Sequence, residues 1–224
     1  MPSVAELYLI RHAQASFGAA NYDKLSPLGH EQSRALGRAL KARGVAPTAF
    51  FVGDMVRHRE TLDGILDGLE TTAEPQIHTG LNEFDFTNLL DAKYSGGDGP
   101  ENMHTERKSH FRTLRDTVLE WEQGGIPDAR ESWTDFGARV EAARQTIMDP
   151  AHAQVLAISS GGAIARMIAT LLDCGPGQQI KLQLQMKNCA VNRFVYSART
   201  VYLHGFNETP HIDAANEERL LTYS

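Results

Sequence analysis

Three short, unbroken apolar runs constrain the fold of this chain more than anything else in it. Leu7-Tyr8-Leu9-Ile10, Ala49-Phe50-Phe51-Val52 and Val155-Leu156-Ala157-Ile158 are apolar at every position. A strand with one face in water would alternate with polar residues, so these runs predict strands covered on both sides, as in parallel sheets. Each is followed by a helical pattern. Ser26-Pro27 sets a capping hydroxyl before proline at the first helical position, and Leu28, Gln32, Leu36, Ala39 and Leu40 recur at helical spacing until Gly44. A second helix is expected from about Val56 to Leu69. A third follows Ser159-Ser160-Gly161-Gly162, with Ile164, Met167, Ile168, Leu171 and Leu172 on its apolar side. Strands alternating with helices predict a three-layer α/β/α sandwich around a mostly parallel central sheet.

The remaining segments fit around that frame. A short strand is expected near Gln76-Ile77-His78, and two more between Ala190 and Phe206 with a turn at Ser197-Ala198. Ser132-Trp133-Thr134-Asp135 reads as a helix cap leading into Phe136, Val140, Ala143 and Ile147. Between Glu83 and Glu131 the pattern changes. A Gly/Pro loop at 96–100 precedes a long polar helix, Glu101 to Glu122, with Phe111, Leu114, Val118 and Trp121 on one face. We read residues 85–135 as a helical insertion or cap within a single domain spanning 1–224.

At 224 residues the chain is long enough for a full core. Its net charge of −6 argues against a broad nucleic-acid interface, which relies on Lys and Arg neutralising phosphates. No apolar run reaches the ~20 residues of a membrane span, and no signal peptide is evident, so a cytoplasmic protein is expected. Cys174 and Cys189 stand far apart, a pattern that implies neither a zinc site nor a disulfide framework.

The chemistry gathers where the first strand ends, at Arg11-His12. Ligands of α/β folds bind beyond the carboxyl ends of the strands, where both His12 and Ser160 fall. Arginine presents a planar fork of donors suited to a phosphate dianion, and imidazole is a nucleophile able to carry a phosphoryl group. Read individually, the same residues have ordinary explanations. Arg57-His58-Arg59 resembles a solvated helix start, Glu83 a loop carboxylate, and His211 a locally packed tail residue.

Leu-Ile-Arg-His-Ala-Gln at 9–14, followed by Tyr-Asp-Lys-Leu-Ser-Pro-Leu-Gly-His-Glu-Gln at 22–32, resembles the opening of the histidine phosphatase superfamily, the phosphoglycerate-mutase-like enzymes. Gly53 to Thr61 resembles the second arginine segment of that family, Leu81-Asn82-Glu83-Phe84 its acidic segment, and Val155 to Gly162 its strand-to-turn segment. Asn188 to Val191 and Asn207 to His211 resemble its closing strands. The resemblance implies a phosphomonoester hydrolase without metal or other cofactor. His12 would form phosphohistidine, Arg11 and Arg57 would hold the phosphate, and Glu83 would be the general acid and then base. The implied partner is a phosphorylated small molecule, with no nucleic acid or membrane. The oligomeric state is left open, a homodimer included.

The chain departs from the family pattern in several places. Where the family carries a second histidine, this chain has Ser160, which with Gly161 is expected to donate to phosphate. Such a change implies either a slow phosphatase, in which Ser160→His would raise turnover, or a phosphate-binding regulatory protein. Ala13 replaces a glycine. Gly18 stands six beyond His12 in place of an asparagine, leaving Ser16 and Asn21 as substitute phosphate contacts. The insert lacks the Arg-Arg and proline run of the glycolytic mutases, so a mutase is the weaker reading. Arg107, Lys108, Arg112 and Arg115, with His104 and His110, form a basic stretch. Charge runs are usually solvated faces; the sharper alternative makes Arg107 and Arg112 a specificity cap. A serine-hydrolase elbow is the weakest reading, because Ile158 occupies the glycine position two before Ser160; fluorophosphonate labelling at Ser160 would revive it.

Overall fold

The computed structural model describes residues 4–16, 23–95, 97, 99 and 107–223, with backbone alone at 107, 108 and 110. Among these described residues, six strands form one sheet in the order β3-β2-β4-β1-β5-β6. They are β1 (Ala5–Arg11), β2 (Ala49–Val52), β3 (Gln76–Ile77), β4 (Gln154–Ser159), β5 (Val191–Tyr196) and β6 (Val201–Glu208). The first four run parallel, while β5 lies antiparallel to β1 and β6 antiparallel to β5. The three solid apolar runs occupy the centre, as their pattern requires.

The helices are α1 (Pro27–Ala42), α2 (Val56–Leu69), α3 (Phe86–Lys93), α4 (Arg107–Glu122), α5 (Trp133–Ile147), α6 (Gly161–Leu171), α7 (Pro176–Gln185) and the short α8 (Glu217–Leu220). Successive strand residues point to opposite faces. Leu7 and Leu9 of β1, with Phe51, Val155 and Ala157, pack against Phe136, Val140, Ile164 and Ile168 of α5 and α6. Tyr8, Ile10, Val52, Leu156 and Ile158 pack on the other face against Leu36, Leu40, Leu62 and Ile65 of α1 and α2. Each fully buried leucine or isoleucine contributes about 1.5–3 kcal/mol relative to exposure.

Three helices were not foreseen: α3, α7 and the one-turn α8. α3 is eight residues long and lies inside the segment read as insertion. α7 spans a stretch whose polar Gln178, Gln179, Gln183 and Gln185 hide its amphipathic face. The insertion does not form a core of its own: Leu89, Leu114, Val118, Trp121 and Ile126 join the same cluster as Leu7, Phe51 and Phe136. The Trp121 ring packs at a tilt, its centroid 5.4–5.5 Å from those of Phe84 and Phe136, so this segment is packed directly behind the Glu83 loop.

Parallel pairing decides where the site can be. Arg11 stands opposite Ser159, and Val52 opposite Ile158, so β1, β2 and β4 end at one edge. The N–H of His12 donates to the Ser159 carbonyl at 2.9 Å, carrying the register one residue past the strands. His12 and Ser160 are therefore neighbours.

Candidate active site

His12 is buried, 5% exposed, at the end of β1. Its Nδ1 lies 2.7 Å from the carbonyl of Ala13. A carbonyl only accepts, so Nδ1 carries the proton and Nε2 is the nitrogen with the lone pair. Burial holds the imidazole well below its ordinary protonation range, and the charges of Arg57 and Arg11, with His58 beside it, act in the same direction. The result is a neutral imidazole in a cationic pocket.

The loop carrying His12 is held from two sides. Thr61 Oγ1 donates to the Arg57 carbonyl at 2.6 Å and accepts from the Ala13 N–H at 3.0 Å. The Arg-x-x-x-Thr spacing thus has a mechanical meaning: one helical turn of α2 fastens the His12 loop beside Arg57. From the other side the N–H of Cys189 and Nδ2 of Asn188 both reach the His12 carbonyl at 3.4 Å.

Arg57 is 6% exposed, and its Nη1 donates to Asp23 Oδ1 at 2.9 Å. The other carboxylate oxygen of Asp23 accepts from the Val56 N–H at 2.9 Å. One acid therefore orients the guanidinium and satisfies the start of α2. Arg11 donates through Nη1 to the Met186 carbonyl and, at 3.5 Å, to that of Tyr223. The chain before β5 and the C-terminal tail thus brace it.

Glu83 reaches the site on a loop held by several ties. Ser159 Oγ donates to the Leu81 carbonyl at 2.6 Å. Arg139 donates to the carbonyls of Asn82 and Glu83 at 2.9 and 3.3 Å and pairs with Glu131. Oε2 of Glu83 accepts from the Gly162 N–H at 2.9 Å. Glycine is required there, because a Cβ on Gly162 would stand 2.1 Å from Oε1 of Glu83. Burial raises the affinity of Glu83 for a proton, opposed by the Gly162 N–H and the charges of Arg57 and Arg11. Both arginines act on both His12 and Glu83, so the four expected residues share one field.

Not every expected contact converges. Ser160 is fully buried, yet its Oγ lies 2.8 Å from Nε2 of His58. Gly161 lies beside Arg11, whose Nε would be 3.4 Å from a Cβ on it. Ser16 donates to the Leu25 carbonyl at 3.0 Å, closing its own loop. Gly18, Asn21 and His104 lie outside the described residues, as does the Arg107 side chain. Arg112 is exposed on α4, and Arg115 is paired with Asp116 at 2.8 Å.

Three residues of the site went unnoticed in the sequence. Asp23 and Arg139 carry no local signal, because their partners are distant in the chain. His58 had one, its place next to Arg57, but the expectation of a solvated cluster concealed it. In fact only Arg59 of the three is exposed, while Arg57 and His58 are buried. The first turn of α2 sets Arg57 and His58 on its inward side and Arg59 on its outward side.

A match to the histidine phosphatase superfamily (branch 1) spans residues 7–209, which is most of the chain. The chain belongs to this superfamily. Among curated relatives, a 2,3-bisphosphoglycerate-dependent phosphoglycerate mutase of Chelativorans sp. (strain BNC1) is 29% identical over 188 residues, covering 78% of this chain and 84% of the relative. Among solved structures, a phosphoglycerate mutase from Bacillus anthracis str. Sterne superposes with a TM-score of 0.66 at 20% identity, covering 94% and 96% of the two chains. The alpha-ribazole phosphatase from Shigella flexneri gives 0.65 at 20% identity, covering 91% and 96%. At such identities the structures establish a shared fold, and histidine phosphatase superfamily members with different reactions share it. Among the described residues, no helix is long and apolar enough to cross a membrane.

Proposed function

We propose that this chain is a phosphomonoesterase working through a phosphohistidine on His12. One observation carries the reading: a buried, neutral imidazole with its proton on Nδ1 shares its pocket with two guanidiniums and a carboxyl whose proton affinity burial has raised. Nε2 of His12 attacks phosphorus and the P–O ester bond breaks. Arg11 and Arg57 neutralise the non-bridging oxygens, and Glu83 gives its proton to the departing alkoxide. Water then attacks phosphorus while Glu83 takes its proton; the P–N bond breaks with its pair returning to Nε2, and inorganic phosphate leaves with His12 regenerated. These side chains complete the charge and proton balance of both steps without a metal.

The curated relatives named as phosphoglycerate mutases make phosphoryl transfer to a second hydroxyl the neighbouring possibility, since it shares the first half-reaction. Hydrolysis is preferred because the insert lacks the Arg-Arg and proline run that the mutase resemblance calls for. Ser160 supports a second reading, a phosphate-ligand binder with slow turnover, because a hydroxyl brings no positive charge. Turnover of p-nitrophenyl phosphate and a panel of phosphometabolites, with His12→Ala alongside, tests these readings. Turnover abolished by His12→Ala supports the enzyme. Tight phosphate binding without turnover supports the binder.

A further inference from the structure

We propose that His58 and Ser160 form a single donor unit, in which His58 positions the Ser160 hydroxyl toward the phosphoryl group on His12; this rests on the phosphohistidine reading above. The first support is placement. The β1/β4 register sets Ser160 beside His12, and the His58 and His12 rings lie 5.7 Å apart between centroids, tilted by 34°. His58 thus enters the pocket from α2 while Ser160 enters from the turn after β4.

The second support is what Ser160 does not do. It is the N-cap residue of α6, where a serine ordinarily accepts a hydrogen bond from the second or third helical N–H. Its side chain makes no such bond. The Gly162 N–H, which it would satisfy, is taken by Glu83 at 2.9 Å. Ser160 is thereby released from capping, and its oxygen lies 2.8 Å from His58 instead.

The third support is the cost of keeping His58 inside. The ring is fully buried, Nδ1 has no hydrogen-bond partner among the described residues, and Arg57 opposes its protonation. Room for it depends on Gly53, since a Cβ there would stand 2.3 Å from Nδ1. An apolar side chain would fill this space without that penalty. If Ser160 donated to Nε2, Nδ1 would hold a proton with nowhere to donate it. With the proton on Nε2, His58 donates to Ser160 Oγ and the serine hydrogen is free to point at a phosphoryl oxygen. Two neutral groups, linked in series, then supply a polarised donor where charge develops.

A double-mutant cycle tests the unit: His58→Ala, Ser160→Ala and the pair, with kcat on p-nitrophenyl phosphate, affinity for orthovanadate and thermal midpoint measured for each. Each single change should lower kcat and vanadate affinity about 10- to 10²-fold, with the pair no worse than the weaker single. His58→Gln, which keeps an N–H donor, should recover part of the loss and serves as the decisive arm if His58→Ala unfolds. Losses that multiply, or a His58 variant within about twofold of wild type in both readouts, would overturn the unit. Turnover that survives His12→Ala instead removes the phosphohistidine reading. A wild type with neither turnover nor vanadate affinity removes both.

Discussion

The imidazole of His58 reaches the hydroxyl of Ser160 at 2.8 Å, tying the first turn of α2 to the N-cap of α6 across the carboxyl edge of the sheet. Neither residue is exposed, and the contact spans about half the chain. It changes how the serine at this position should be understood. A site that seemed one histidine short contains a second imidazole, delivered from a different helix.

This contact redirects the expectation for Ser160→His. A ring at position 160 would occupy the volume already held by His58, and overpacking of this kind costs about 1–3 kcal/mol. Ser160→His alone should lower the thermal midpoint and leave kcat no higher than wild type. Ser160→His combined with His58→Ala should exceed His58→Ala alone by about tenfold or more in kcat, because the space is vacated and a donor returns. A gain in turnover from the single change would contradict the geometry.

Asp23 aims Arg57 and caps Val56 with its two oxygens. Asp23→Ala should raise KM about tenfold with a smaller effect on kcat, as the guanidinium loses its fixed direction. The lost pairing should also cost about 1–3 kcal/mol in unfolding free energy. Steady-state kinetics and chemical denaturation measure the two effects separately.

Arg139 makes no contact with His12 yet grips the loop that presents Glu83, through the Asn82 and Glu83 carbonyls. Arg139→Met preserves much of the packing over Phe136 while removing those donors. A fall of about tenfold in kcat is expected, steepest for substrates with poor leaving groups, since these depend most on the Glu83 proton. Equal losses for good and poor leaving groups would separate Arg139 from the acid step.

Stability should decline on acidification through the buried histidines. Burial lowers the protonation of His12, His58 and His211, in the last case to about 4. A group whose folded value lies below its unfolded one near 6.5 contributes stability above that pH, and loses it as pH falls toward the folded value. Glu83 runs the other way: its raised affinity favours the folded state at low pH and loses that contribution as pH rises through the folded value. His211→Gln isolates one histidine apart from His12 and His58, and neither ring nitrogen of His211 has a partner among the described residues. The variant should shrink the stability difference between pH 7 and pH 4.5 by about 2 kcal/mol, read from urea midpoints at the two pH values.

Local pattern was sufficient for the layered architecture. Solid apolar runs had to be doubly covered strands, and Ser26-Pro27, Val56 to Leu69 and Ser132 to Asp135 marked helices found where their caps and periods placed them. The segments carrying Arg11, His12, Arg57 and Glu83 were legible through their resemblance to the superfamily's segments, since each residue alone has an ordinary explanation. α7 could not be read, because its buried face is built partly from glutamines. The partnership of His58 with Ser160, the hold of Asp23 on Arg57 and the grip of Arg139 on the Glu83 loop were decided only by tertiary structure. Each depends on the separation of groups far apart in the chain, set by strand register and helix docking, and hydrogen bonds of about 3 Å leave no trace in the order of residues.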